Sequence, residues 1–309
     1  MSAVSSQTEA AASAQSYGQG LAIVGIGGLV LSFDIPLIRM SESAFWTVLA
    51  VRGLLTGLAV LLIWQVDRIR NPRGQKLIAG WTGLLIVAVF SVAATTFVFA
   101  VFNTSAANVV FILAFNPMFA AILSWWLIGE RPPLATVLAI PATLFGVLLI
   151  IGAGFETGNW TGDLSALATA FLIALALTLS RRSRTDMRYT AALGGLLPAI
   201  IALPLVAGEG LHSDAIIWLI LNGGVLIPVA MICLAIGPMF VPAPVVSMAF
   251  LIETVLAPVW VWLIFGERPV DLAMAGGGVV IATLVAHSVA ELRRVRGQRR
   301  RLAAQNRVD

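Results

Sequence analysis

The tetrapeptide Gly-Glu-Arg-Pro occurs twice, within WWLIGERP at 125–132 and within WLIFGERP at 262–269. Each copy ends a long apolar run, and the two copies lie 137 residues apart. At the same shift Trp81 aligns with Trp218, Ala106 with Ala243, and Val109 with Val246. Four identical residues at matching ends of apolar runs indicate that the chain contains an internal repeat.

The composition requires a second apolar phase around the protein. Of the 309 residues, 59% are hydrophobic and 11% are charged, and the mean hydropathy is +0.97. Soluble domains carry about 25% charged residues, so this composition excludes a water-soluble domain, a disordered chain and a secreted disulfide scaffold. One cysteine, Cys233, and two histidines exclude a disulfide framework and a Cys/His metal cage. We therefore expect neither a cofactor nor a metal.

Apolar runs long enough to cross a bilayer occur ten times. A spanning helix needs about 20 apolar residues to cross about 30 Å of hydrocarbon. Lipid offers the backbone no hydrogen-bond partner, so each run is expected to be a helix. The expected fold is an all-α polytopic membrane protein with ten transmembrane helices. The predicted spans are 21–38, 44–64, 78–101, 106–128, 134–152, 162–180, 190–207, 214–236, 242–265 and 270–290.

Charge placement predicts the orientation of these spans. Sixteen of the nineteen Lys and Arg residues fall on one side, in clusters after spans two, six and ten and at Arg131 after span four. Basic loops face the cytoplasm, so both termini of this multi-pass protein are expected on the cytoplasmic side of an inner (cytoplasmic) membrane. Basic clusters beside spans are more typical of topology signals than of nucleic-acid patches, so no nucleic-acid partner is expected.

The repeat unit holds five spans, an odd number, so its second copy enters the membrane from the opposite side. The predicted organisation is a cytoplasmic tail at 1–20, a first five-helix repeat at 21–152, a second, inverted five-helix repeat at 153–290 and a basic cytoplasmic tail at 291–309. Inverted repeats are common in secondary transporters, whose substrate site lies near the membrane midplane between the halves. Two packings of such halves would give inward-open and outward-open states, which is alternating access.

The residues around the two Gly-Glu-Arg-Pro copies resemble EamA-type drug/metabolite transporters. The segment ANVV at 107–110, the pair Asn116-Pro117 and the stretch at 126–132 are similar to the fourth helix of that family. The stretch from Leu251 to Arg268 is similar to its ninth helix, although Thr254 stands where the family often has proline after glutamate. The resemblance covers 21–290. It implies export of a small metabolite, and it favours a YddG-like exporter of aromatic amino acids.

Three ionisable side chains lie deep within the predicted spans, away from their first and last turns: Asp34, Arg52 and Glu253. Such groups are costly in a membrane and are functional candidates by default. Arg52 and Glu253 fall near mid-depth, at 1.5 Å per residue. They could pair with each other, or bind the carboxylate or ammonium of a substrate; Glu253 could also carry a coupling proton or cap backbone groups. Asp34 lies nearer a span end, where it could instead reach interfacial water.

Uncharged polar and aromatic side chains supply further candidates for a cavity lining. A substrate with an apolar body and a polar head suits hydroxyls placed beside aromatic rings. Packing or contact with lipid explains a Phe stripe equally well, and bonding between helices explains buried amides equally well. The candidates are Ser91, Thr95, Phe99 and Phe102 on one face of span three, together with Asn116 and Asn222.

The sequence favours a carrier of small amphipathic metabolites such as amino acids or related organic cations. No Gly-x-x-x-x-Gly-Lys motif occurs, so the energy would come from the substrate or an ion gradient, with proton coupling as one option. A nucleotide-sugar or phosphate-ester carrier is an alternative, although only Arg52 offers positive charge at depth.

Metalloprotease and serine-hydrolase motifs are absent, so an enzyme is not expected, although Asp34 and Glu253 could form a carboxylate pair. A membrane scaffold is a further alternative. The expected partners are a small-molecule substrate and the lipid bilayer, with monomer and homodimer both open.

Overall fold

The polypeptide is helical throughout the part that the structure describes. This computed structural model describes residues 18–71, 76–78, 80–129, 131–132, 134–183, 189–206, 216–236, 243–266 and 268–305, and within these ranges no strand occurs. Seven helices in this part are long and apolar enough to cross a membrane, and three shorter apolar helices accompany them. The chain is therefore an all-α polytopic membrane protein.

The helical segments of the described part are labelled in chain order, and an interrupted run keeps one label. They are α1 (Gly18–Met40), α2 (Phe45–Arg70), α3 (Gly80–Asn103), α4 (Ala106–Ile128), α5 (Leu134–Thr157), α6 (Trp160–Ser183), α7 (Thr190–Leu193 and Leu196–Val206), α8 (Ile216–Leu219, Ile220–Leu226 and Ile227–Ile236), α9 (Ala243–Phe265) and α10 (Asp271–Gln305). The last helix runs past the predicted end of its span at 290. The predicted tail at 1–17, Glu130, Glu267 and the joint at 237–242 lie outside the described residues.

Helices α1 and α4 are each interrupted by a turn close to a proline. In α1 a turn at 32–33 precedes the segment Asp34–Met40, which contains Pro36. In α4 a turn at 114–115 precedes Asn116-Pro117, because proline lacks an N–H and fits best at the start of a helix. By contrast, α9 runs unbroken through Glu253 and Thr254, so the absence of proline there leaves the helix continuous. The halves of the chain therefore differ at this position.

Two helix pairs approach closely through glycine. Helix α2 packs against α7, where a Cβ on Gly53 would lie 2.8 Å from the Cβ of Ala199. Helix α5 packs along α10, where a Cβ on Gly146 would lie 2.7 Å from the carbonyl oxygen of Gly276. Small residues let membrane helices come close enough for extensive van der Waals contact. The outward faces carry large exposed apolar side chains, as a lipid environment requires, among them Leu62, Trp126 and Leu138.

Candidate substrate-binding site

A charged cluster joins α1, α2 and α8 inside the protein. The Arg52 guanidinium donates from an Nη atom to Asp34 Oδ2 at 2.8 Å and from Nε to Asn222 Oδ1 at 2.9 Å. Asn222 Nδ2 donates in turn to Asp34 Oδ1 at 2.7 Å and to the Asp34 carbonyl oxygen at 3.1 Å. The Asp34 and Arg52 side chains are only 8% and 16% exposed. Both carboxylate oxygens are thus satisfied, as a buried ion pair requires.

Local irregularities in two helices place these groups. Asp34 begins the second part of α1, directly after the turn at 32–33. Asn222 lies in the π-helical segment Ile220–Leu226 of α8, a rare geometry that is frequent at functional sites. A Cβ on Gly223 would lie 2.6 Å from the Arg52 carbonyl oxygen, so glycine lets α8 approach α2 closely. The Thr56 hydroxyl closes this contact by donating to the Gly223 carbonyl at 3.0 Å.

Aromatic rings surround the cluster. The Arg52 guanidinium carbon lies 5.1 Å from the centroid of the Phe97 ring, within the range of a cation–π contact. On the α1 side, Phe33 stacks on Trp260 of α9, with ring centroids 4.9 Å apart. The Trp260 indole N–H donates to Ser32 Oγ at 3.0 Å, which ties α9 to the turn in α1.

Glu253 is the second carboxyl group at this place. It is partly buried and lies close enough to Asp34 for the two carboxyl groups to interact electrostatically. Within the described residues the ion pair of Arg52 is with Asp34, not with Glu253. The cluster therefore contains two carboxyl groups and one guanidinium, and Asp34 is an internal side chain of it, not one that reaches interfacial water.

The space beside Arg52 is closed. The cavity there measures about 10 Å³ and is lined by Leu49, Arg52, Gly53, Ala94, Val98 and Gly195. A single water molecule needs about that much volume. This cavity is therefore too small for a metabolite in the arrangement seen here.

The remaining predicted lining residues do not converge on this cluster. The hydroxyls of Ser91 and Thr95 donate to carbonyls one turn earlier in α3, at 2.8 and 3.0 Å. Phe99 and Phe102 are 40% and 42% exposed, and both meet Phe45 edge to face. Asn116 donates to the Ala170 carbonyl of α6 at 2.8 Å, so this amide bridges two helices.

A second polar cluster, around Asp163 of α6, was not predicted as a site. Its position at the start of the predicted span 162–180 would place Asp163 beside the loop opposite the basic clusters, but its side chain is fully buried. The Thr104 hydroxyl donates to Asp163 Oδ1 at 2.6 Å, and Asn108 Nδ2 donates to the same oxygen at 3.0 Å. The sequence signal for this cluster was the polar run Asn103-Thr104-Ser105 followed by Asn108, between two apolar spans.

An open pocket of about 500 Å³ lies next to this second cluster. We call it the α3–α4 pocket; its lining is Arg39, Phe102, Asn103, Thr104, Ser105, Gly158, Asn159 and Thr161. Arg39, at the end of α1, donates to the carbonyls of Thr104 at 2.8 Å and Val101 at 3.3 Å. Arg39 thereby caps the last carbonyls of α3, a position that favours a cation.

Comparison with known proteins supports a transporter. Residues 20–152 match the EamA-like transporter family. The chain is 27% identical over 173 residues to the "Uncharacterized transporter YdfC" of Bacillus subtilis (strain 168), a stretch that covers 53% of this chain and 56% of that protein. The alignment thus spans little more than half the length of that relative.

A solved structure described as "Crystal structure of protein" shares the fold, with a TM-score of 0.60 over 88% of this chain and 98% of that chain, at 17% identity. At this identity the likeness concerns the fold alone. The first part of the chain, residues 20–152, is thus similar to the EamA-like transporter family, and the matched relative is also described as a transporter.

Proposed function

We propose that the protein is a secondary transporter that exports small amphipathic metabolites bearing a cationic group, with amino acids as the main substrate class. The observation that carries this proposal is the buried Asp34–Arg52–Asn222 cluster beside Glu253. Ionisable groups inside membrane proteins mark substrate and ion pathways. Here they connect helices from both halves of the chain.

The balance of charge favours an ammonium group over a phosphate ester. Two carboxyl groups oppose one guanidinium, and that guanidinium already has a carboxylate partner. A dianionic substrate would meet repulsion from the Asp34 carboxylate, whereas an ammonium would be attracted to it. The carboxylate of an amino acid could take the place of Asp34 on Arg52 while its ammonium binds the carboxyl groups.

The rings around the cluster favour an aromatic side chain on the substrate. Phe97 faces Arg52, and the stacked pair Phe33–Trp260 lies beside Asp34 in sequence and space. Aromatic walls with a few convergent polar groups are typical of sites for amphipathic ligands. This arrangement supports an exporter of aromatic amino acids as the finer proposal.

Several observations support two inverted five-helix repeats, at 21–152 and 153–290. The 137-residue shift relates α2 to α7 and α5 to α10, and both of these pairs are in close glycine contact. The two copies of Gly-Glu-Arg-Pro begin alike, because Gly129 and Gly266 end their helices with φ of 82° and 68°. The shift also superposes Asn116 on Glu253, and each of these side chains faces the first helix of the other half. Termini on the cytoplasmic side of an inner membrane complete this proposal.

Alternating access would open the closed space beside Arg52 to one side at a time. Counterflow in proteoliposomes tests the proposed substrate class. Proteoliposomes loaded with unlabelled phenylalanine should accumulate labelled aromatic amino acids. An organic phosphate should neither exchange for these amino acids nor compete with them. Exchange of the phosphate but not of amino acids or organic amines would contradict the proposal.

A further inference from the structure

The Asp163 cluster has an unusual feature: one carboxylate oxygen has no partner. Both donors, from Thr104 and Asn108, converge on Oδ1. Oδ2 is buried and, in the described part of the chain, has no hydrogen-bond partner. A buried polar oxygen without a partner is costly, and a charged one more so. The site therefore suits a carboxyl group that carries a proton on Oδ2.

A purely structural role as a helix cap does not account for this arrangement. Asp163 lies in the first turn of α6, where an acidic side chain could bind free backbone N–H groups. Its hydrogen bonds come instead from Asn108 of α4 and from Thr104 in the joint between α3 and α4, across the helix interface. The carboxyl group therefore links α6 to the joint between α3 and α4.

This joint is held from two sides at Thr104. Its carbonyl accepts from Arg39 of α1, and its hydroxyl donates to Asp163 of α6. Thr104 also lines the α3–α4 pocket, so this residue contacts both the pocket and the Asp163 carboxyl group.

Few charged residues lie near Asp163 in the described part of the chain. Arg39 of α1 is linked to Asp163 through Thr104, whose carbonyl accepts from Arg39 and whose hydroxyl donates to Asp163. Helices α3 and α4 contain no ionisable residue, and α6 carries its arginines, Arg181 and Arg182, at the opposite end. Glu156, near the end of α5, is outside the side chains that the structure describes.

We propose that Asp163 is a proton-binding site that couples protonation to the width of the α3–α4 pocket. In the arrangement seen here, a proton on Oδ2 removes the buried charge. When the pocket widens further, the proton passes from Oδ2 to water, and the ionised carboxylate is solvated. Higher pH therefore favours the wider pocket. Asp163 would thus supply a proton-coupling group in addition to the substrate cluster, and its role in transport rests on the proposed function.

Cysteine labelling tests this inference without any transport assay. In a Cys233→Ser background, Asn159→Cys reports from the pocket and Thr161→Cys from its exposed rim. Both are labelled with a membrane-impermeant maleimide across mildly acidic to mildly alkaline pH. The ratio of the pocket rate to the rim rate cancels the ordinary pH dependence of thiol reactivity.

The ratio should rise with pH, by at most about tenfold per unit because one proton is involved. Asp163→Asn should make the ratio independent of pH, and Asp163→Glu should restore a dependence. A flat ratio in protein that retains Asp163 overturns the proposal even if the asparagine variant fails to fold. An unchanged slope in a folded Asp163→Asn variant overturns it equally. Loss of counterflow alone would instead count against the proposed substrate function.

Discussion

The coupling between Asp34 and Arg52 can be measured with a double-mutant cycle. The variants are Asp34→Asn, Arg52→Gln and the double substitution, and the measured quantity is the free energy of unfolding in mixed micelles. Both side chains are largely buried, and their 2.8 Å contact is also part of the Asn222 network. Removing one partner of a buried pair costs 3–5 kcal/mol. Because Arg52 keeps Asn222 and is 16% exposed, we expect about 3 kcal/mol for Asp34→Asn, at the low end of that range.

The double variant should lose about 2 kcal/mol less free energy of unfolding than the two single variants lose in sum, because it leaves no uncompensated charge. Asp67→Asn provides a control on the same helix. Asp67 accepts a hydrogen bond from the Tyr189 hydroxyl at 3.0 Å near the end of α2. Asp67→Asn should lower the free energy of unfolding by about 1 kcal/mol, and this effect should add to that of Arg52→Gln without coupling. Strict additivity of Asp34→Asn and Arg52→Gln would refute the reasoning.

The remaining predictions concern α4, α8 and α9. Glu253→Gln should abolish counterflow and leave thermal stability near that of the wild type, because the substitution keeps the shape of the side chain and removes a carboxyl group that can bind a proton or an ammonium; full activity would remove this carboxyl group from the mechanism. Asn116→Asp, at the equivalent position, should lower stability by about 1–3 kcal/mol because it loses the donor to Ala170. Gly223→Ala should destabilise by about 1–3 kcal/mol through overlap with Arg52, whereas Gly224→Ala, which meets open space, should be nearly neutral. Equal melting temperatures for these two alanine variants would contradict the close α2–α8 contact.

Much of the fold follows from composition and the lengths of the apolar runs. Charges are too sparse for a soluble surface, so helices long enough to span a membrane are the only outcome that satisfies the backbone. The positions of Asp34, Arg52 and Glu253 within apolar runs marked them as candidates for the same reason. The polar residue Asn222 was singled out as a buried amide that needs a partner, and the structure supplies two partners, Asp34 and Arg52.

The pairing within the cluster could not be predicted. Depth along the spans favoured a pair of Arg52 with Glu253 and left Asp34 nearer a span end. The structure instead pairs Arg52 with Asp34, which follows the turn at 32–33, and Asn222 of the π-helical segment binds both. A π-helix has no distinct sequence pattern. Asp163 was misplaced for another reason: an acidic residue at the start of a span has the same pattern whether it faces water or a neighbouring helix. Its partners, Thr104 and Asn108, are more than 50 residues away.

The inverted repeat is the central claim, and the side of the membrane on which each Gly-Glu-Arg-Pro corner lies tests it most directly. Arg131→Cys and Arg268→Cys, each in a Cys233→Ser background, place single thiols on two exposed corner residues. The 3.5 Å contact of Arg268 with Asp271 is at the surface, so its loss should not disturb the fold. In oriented vesicles an impermeant maleimide should label Arg268→Cys from outside and Arg131→Cys only after the membrane is opened. Labelling of both corners from the same side would contradict two copies of opposite orientation.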